Sequence, residues 1–211
     1  MYIPQHFAET RTEVLHALIK AHPFAAMVVL GPDGLNVNHL PFLIDAGAGE
    51  FGTLRGHVAR ANPVWKSFVD DYEAVAIFQG PQHYITPSWY PSKKTMGGKV
   101  VPTWNYAVVH AHGPLRIMED KEWLFNLVSD LTDQNEAPRA EPWKTTDAPA
   151  DFIDKMLKAI VGIEIPITRI EGKWKTNQNR TQQDRRGVID GLSRENTAAA
   201  SAMADLVPID E

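Results

Sequence analysis

Trp104-Asn105-Tyr106-Ala107-Val108-Val109-His110-Ala111-His112-Gly113-Pro114-Leu115 is the clearest strand in the chain. Tyr106, Val108, His110 and His112 share one face at period two, and Ala107, Val109, Ala111 and Gly113 share the other. Upstream the pattern stays largely β. Phe24 to Leu30 is a compact apolar strand, turned by Gly31-Pro32-Asp33-Gly34 into a second strand through Phe42. Phe51 to Val58 and Glu73 to Gln79 read as further strands, with Tyr84 to Ser88 as a short additional one. A first helix is expected at about residues 10–21, where Thr10 and Glu13 have capping-box spacing. Asn62-Pro63 reads as a second helix start, running through Trp65 and Phe68.

Downstream the period changes. Glu119 to Leu131 and Asp151 to Ala159 have helical spacing, Ile160 to Glu171 returns to strand, and Asp184 to Leu192 reads as a short helix. Strands first and helices later predict an α+β, mainly β fold, an antiparallel barrel with helices packed around it. Residues 1–192 are expected to form a single domain with a C-terminal helical extension. Residues 193–211, with Ala198-Ala199-Ala200 and an acidic end, are expected as a flexible tail. The β-α-β alternation and glycine fingerprint of a dinucleotide-binding domain are missing, and so is a Walker loop.

The 211 residues contain no cysteine, which excludes disulfide scaffolds, thiolate metal sites and cysteine nucleophiles. The longest strongly apolar run, Phe24 to Leu30, is too short to cross a bilayer, and no secretory leader is recognisable, so a cytoplasmic protein is expected. The net charge of −5 conceals strong segmentation. No Asp or Glu occurs in the 45 residues from Ala74 to Met118, which carry Lys93, Lys94, Lys99 and Arg116. Glu119 to Asp154 then carries ten acids and three bases, and Lys173 to Arg186 five bases and one acid. An acid-free, lysine-bearing segment suits a phosphate or carboxylate ligand; a buried, charge-poor sheet is the plainer alternative.

Three constellations carry candidate chemistry. Asn38-His39-Leu40-Pro41-Phe42 puts an amide and an imidazole at a sheet rim, for ligand-edge contact or as a satisfied, partly buried histidine. Gly56-His57-Val58-Ala59-Arg60-Ala61-Asn62-Pro63 sets His57 and Arg60 ahead of a helix start, to grip an anion or to organise that start. Tyr84 to Tyr106 concentrates aromatic rings, hydroxyls and lysines around Gly97-Gly98. Rings beside cations suit a planar anionic ligand such as flavin mononucleotide, and also single-stranded nucleic acid. His110 and His112 lack a nearby third ligand in sequence, so no metal is assigned. The basic stretch Lys173 to Arg186 either touches nucleic-acid phosphates or pairs with the acidic segment.

Together these segments resemble the PaiB family, described as FMN-binding negative transcriptional regulators. The resemblance rests on Tyr2-Ile3-Pro4-Gln5-His6-Phe7, His39-Leu40-Pro41-Phe42, Gly56 to Pro63, Phe78-Gln79-Gly80-Pro81 and Tyr84 to Tyr90. It continues through Lys99-Val100-Val101-Pro102-Thr103-Trp104-Asn105-Tyr106, Glu164-Ile165-Pro166-Ile167, Gln178-Asn179-Arg180 and Gly187-Val188-Ile189. Thr176-Asn177 departs from the Leu-Ser expected before Gln-Asn. The resemblance implies an FMN-binding split β-barrel, related to pyridoxamine-phosphate oxidase, and a homodimer with the flavin at the subunit interface. It further implies that Asn38, His39 and Leu40 line the isoalloxazine ring and that His57, Arg60 and Asn62 hold the ribityl phosphate. Lys93, Lys99, Trp104 and Asn105 would complete the site. A regulator acting on DNA, an FMN-dependent oxidoreductase without a DNA role and a haem-handling relative remain as functional alternatives. No catalytic base or nucleophile is assigned, because flavin chemistry resides in the cofactor.

Overall fold

The computed structural model describes residues 1–209. The chain opens with a short strand, β1 (Ala8–Glu9), and a helix, α1 (Thr12–Ala21), followed by the hairpin β2 (Phe24–Gly31) and β3 (Gly34–Pro41). Next come β4 (Leu43–Asp45), β5 (Thr53–Ala59), the long β6 (Ala74–Ile85), a one-turn helix α2 (Ser92–Thr95) and β7 (Thr103–Gly113). A third part comprises β8 (Arg116–Met118), α3 (Lys121–Glu136), α4 (Ala150–Leu157), β9 (Ile160–Pro166) and β10 (Arg169–Lys175). Two C-terminal helices, α5 (Gln182–Glu195) and α6 (Ala198–Ala204), complete the described fold.

These elements form two compact units. One comprises residues 1–18, 79–109 and those from Glu171 on; the other comprises 19–78 and 110–170. In the second unit β2 is the middle strand of an antiparallel β6-β2-β3 arrangement, with Val28 opposite both Val37 and Val75. A separate antiparallel sheet runs β4-β5-β9-β8, and Thr53 to Ala59 pair with Pro166 to Ile160 along its centre. Helix α3 packs Leu127 and Leu131 against Leu43. In the first unit the strand order is β1-β10-β7-β6. Its apolar centre joins Ile85 and Tyr90 to Val188, Leu192, Ala200 and Met203 of the C-terminal helices.

Prolines explain several differences from the sequence expectations. Strand β6 runs unbroken through Pro81, joining two expected strands, since proline keeps φ within the extended range and forfeits only one ladder donor. Pro114 does interrupt, so the expected strand 104–115 stops at Gly113 as β7, and β8 begins beyond it at Arg116. The expected strand from Ile160 likewise ends at Pro166 and resumes as β10, which pairs with β1 and draws Lys173 and Lys175 into a sheet. The helix expected at Asn62-Pro63 is only a three-residue 3₁₀ turn, Pro63–Trp65. The stretch from 193, expected as a tail, contains the end of α5 and all of α6, with Ala200, Met203 and Val207 buried. Asp210 and Glu211 lie outside the described residues.

Candidate functional site

The second unit holds six of the candidate residues. Asn38 lies on β3, where its Nδ2 donates to Asn36 Oδ1 at 2.6 Å and its Oδ1 accepts from Asn62 Nδ2 at 2.6 Å. Asn62 Oδ1 in turn accepts from the Val64 backbone N–H at 3.0 Å, so a chain of three amides ties the strand to the turn after β5. Leu40 is buried on the core-facing side, whereas His39 points outward and stacks on Phe24, with ring centroids 6.1 Å apart. That outward side of the β2–β3 hairpin is conspicuously apolar: Phe24, Leu35 and Val37 are 65%, 76% and 53% exposed. The alternation of a hairpin accounts for the arrangement, since residues 35, 37, 39 and 41 oppose 30, 28, 26 and 24.

His57 sits on β5, and its Nδ1 is buried without a hydrogen-bond partner. Burial holds its pKa below the ordinary histidine value, so the neutral ring is favoured. Arg60 is already engaged. Its guanidinium pairs with Glu119 Oε1 at 2.6 Å and donates to the carbonyls of Lys158 and Ile160. Its own carbonyl accepts from Trp65 Nε1 at 3.0 Å, and its backbone N–H donates to Ala159 O. Arg60 therefore fastens the end of β5 to the α4–β9 junction, with a carboxylate beside it that disfavours a further anion. Asn62 also serves the local turn, as the plainer sequence alternative had it.

The remaining candidates lie in the first unit. Lys93 and Lys99 are exposed, and Lys93 borders a 660 Å³ hollow together with Trp89, Lys94, Asp190 and Arg194. Gly187 and Gly191, one turn apart on α5, make this arrangement possible. A Cβ at Gly187 would meet the Trp89 carbonyl, and one at Gly191 would meet its indole ring. Trp104 donates from Nε1 to Gln82 Oε1 at 2.9 Å, packs edge-on against Tyr84 and borders a 250 Å³ hollow with Tyr106. Asn105 is 1% exposed and donates from Nδ2 to Asn177 Oδ1.

Two important residues escaped the sequence reading. Asp184, buried at the start of α5, accepts both the backbone N–H and the hydroxyl of Ser92, anchoring the lysine-bearing segment. Its spacing from Thr181, which caps α5, was the available signal. Asn177 adopts a left-handed backbone, φ 68°, and joins Asn105 to the Tyr90 hydroxyl. Asparagine is among the few side chains that enter this region readily. The basic stretch is not an exposed stripe. Lys173 is buried over Tyr106 and donates to Tyr2 O, Arg185 is buried and Arg186 is exposed.

Antiparallel sheets with flanking helices fit the split-barrel class of flavin-binding proteins that the resemblance implies. Residues 1–169 match the FMN_bind_2 model, described as "Putative FMN-binding domain", and the chain belongs to that FMN-binding family. It is 34% identical to an uncharacterized protein of Emericella nidulans, across 98% of this chain and 96% of the other. It is 30% identical to the Bacillus subtilis protease synthase and sporulation protein PAI 2, with the same two coverages. This bears out the resemblance to PaiB. Among solved structures, the flavocytochrome Anf3 of Azotobacter vinelandii superposes with a TM-score of 0.59 at 14% identity, covering 83% of this chain and 73% of that one. A FAD- and haem-binding protein of Mycobacterium smegmatis gives 0.58 at 14% identity, covering 80% and 73%. At such identities these likenesses concern the fold alone. Among the described residues, no helix is long and apolar enough to cross a membrane.

Proposed function

We propose that the protein works as a homodimer that binds FMN along β3, with redox chemistry supplied by the flavin. The observation that carries this reading is the exposed face formed by Phe24, Leu35 and Val37, with His39 among them and the Asn36 and Asn38 amides along the same strand, joined to Asn62. A contiguous apolar surface of this kind favours a partner, and an isoalloxazine ring needs an apolar wall with a few polar edge contacts. These residues fit the cofactor. Asn38 and His39 would contact the ring edge, and His57 would approach the phosphate. Arg60 would serve by holding the β5 end in place, because its guanidinium already has partners. Bound FMN supplies hydride or electron transfer, and the chain supplies position and exclusion of water.

A flavin-centred role is favoured over direct DNA binding by the burial of Lys173 and Arg185, which leaves no continuous basic stripe in that stretch. The test is the absorption spectrum of the purified protein, followed by FMN titration, reduction with NADH and NADPH, and light scattering for mass. A dimer with a saturable flavin spectrum is expected, and Val37→Lys should shift it toward monomer and weaken FMN uptake. A monomer that takes up no FMN would overturn the reading. A Soret band on haem titration would point to the haem alternative instead.

A further inference from the structure

The first unit contains a further, smaller cavity whose walls suit a ligand of a different kind. It measures 140 Å³ and is bordered by Thr103, Asn105, Lys175, Asn177, Asn179 and Arg180. It has two cationic side chains, and no carboxylate lines it. The Arg180 guanidinium lies over the Tyr90 ring, 4.9 Å from its centroid, and among the described residues it forms no ion pair or side-chain hydrogen bond. The contact with the ring holds the guanidinium in place while leaving its N–H donors unspent, and a guanidinium with free donors can grip a carboxylate or phosphate in a bidentate way. Lys175 donates to Thr103 Oγ1 and to the Trp104 carbonyl, which uses two of its three ammonium hydrogens. Burial lowers its pKa, the neighbouring charge of Lys173 lowers it further, and Tyr106 opposes both. An incoming anion would relieve the strain between Lys175 and Lys173.

The neutral wall is equally specific. Asn105 has its Nδ2 committed to Asn177, while its Oδ1 is buried with no hydrogen-bond partner. An unpaired buried amide oxygen is costly, so its retention beside Arg180 and Lys175, neither of which forms an ion pair among the described residues, calls for a donor from elsewhere. Asn177 is, with Thr176, one of the two positions at which this chain departs from the expected motif. With its left-handed backbone and its contacts to both Asn105 and Tyr90, it holds the orphaned oxygen and the ring beneath Arg180 in one rigid group. Asn38, His39 and His57, the flavin contacts proposed above, do not line this cavity.

We propose that this cavity binds a small oxyanion, the carboxylate or phosphate of a second ligand, between Arg180 and Lys175, with Asn105 Oδ1 accepting from a hydroxyl beside the anionic group. The volume suits a compact hydroxy acid or phosphate, far smaller than a flavin. This proposal goes beyond the flavin reading and requires no flavin to be present.

Isothermal titration of the full chain with glycolate and, separately, with inorganic phosphate tests it, at constant ionic strength in chloride buffer, with and without saturating FMN. FMN uptake is followed independently by flavin absorbance. Saturable binding of at least one anion is expected, and it should weaken at least tenfold in Arg180→Gln. Arg180→Lys should retain part of it, and the FMN half-saturation should stay within twofold in both variants. Glycolate alone would identify a carboxylate ligand, and phosphate alone a phosphate-bearing one. The proposal is overturned if neither anion binds, if Arg180→Gln binds as the wild type does, or if FMN displaces the anion competitively. The last result would assign the pocket to the flavin phosphate. Loss of FMN uptake with anion binding intact would overturn the flavin reading and leave this one standing.

Discussion

At the scale of single residues, Arg60 illustrates how a motif that suggests ligand binding serves the fold. Its ion pair with Glu119 is substantially solvated and contributes little, whereas its two donations to backbone carbonyls tie the end of β5 to the α4–β9 junction. Arg60→Met should therefore cost about 2 kcal/mol in urea unfolding, and Glu119→Gln less than about 1 kcal/mol. Equal stability of Arg60→Met and wild type would free this residue for a ligand role. His57 gives a pH signature. Its folded-state pKa lies below the ordinary value of about 6.5, so the unfolded chain takes up the proton first as pH falls. His57's contribution to stability is complete above about pH 6.5 and diminishes below it. The melting temperature should decline between pH 7.5 and 5, less steeply in His57→Gln; parallel profiles would refute this.

At the scale of elements, the C-terminal helices hold the lysine-bearing loop. Helix α5 accepts the Trp89 indole where Gly191 has no side chain, and its buried Asp184 fixes Ser92. Gly191→Val should displace the indole and cost about 2 kcal/mol, read as lost near-ultraviolet tryptophan dichroism together with a lower unfolding midpoint. An unchanged tryptophan signal would show that the seat tolerates a side chain. The helical period around Val188 and Leu192 was legible in the sequence because an amphipathic stripe is a local property. The packing of α6 was not, since an Ala-rich, weakly patterned segment acquires order only from the surface it meets. The same distinction separates the well-read hairpin β2–β3 from the misread joint at Pro81, where tertiary pairing overrides a local break signal.

At the scale of the whole molecule, the exposed apolar face of Phe24, Leu35 and Val37 predicts how the proposed dimer responds to its surroundings. Apolar association is not screened by salt, so sedimentation in 0.1 M and about 1 M sodium chloride should give the same dimer. Dissociation at high salt would mean that charges, rather than this face, hold the subunits. The family, the order of most secondary elements and the withholding of acids from residues 74–118 were all determined by the sequence alone. Each is a property of neighbours along the chain, of period, spacing or composition. Only the tertiary structure decided that Arg60 is occupied and that Asn105, Asn177 and Tyr90 form one bonded group. It alone left Arg180 with unspent donors beside that group. Those outcomes depend on partners 59 to 100 residues apart. A hydrogen bond is satisfied or left open by geometry that no local pattern records.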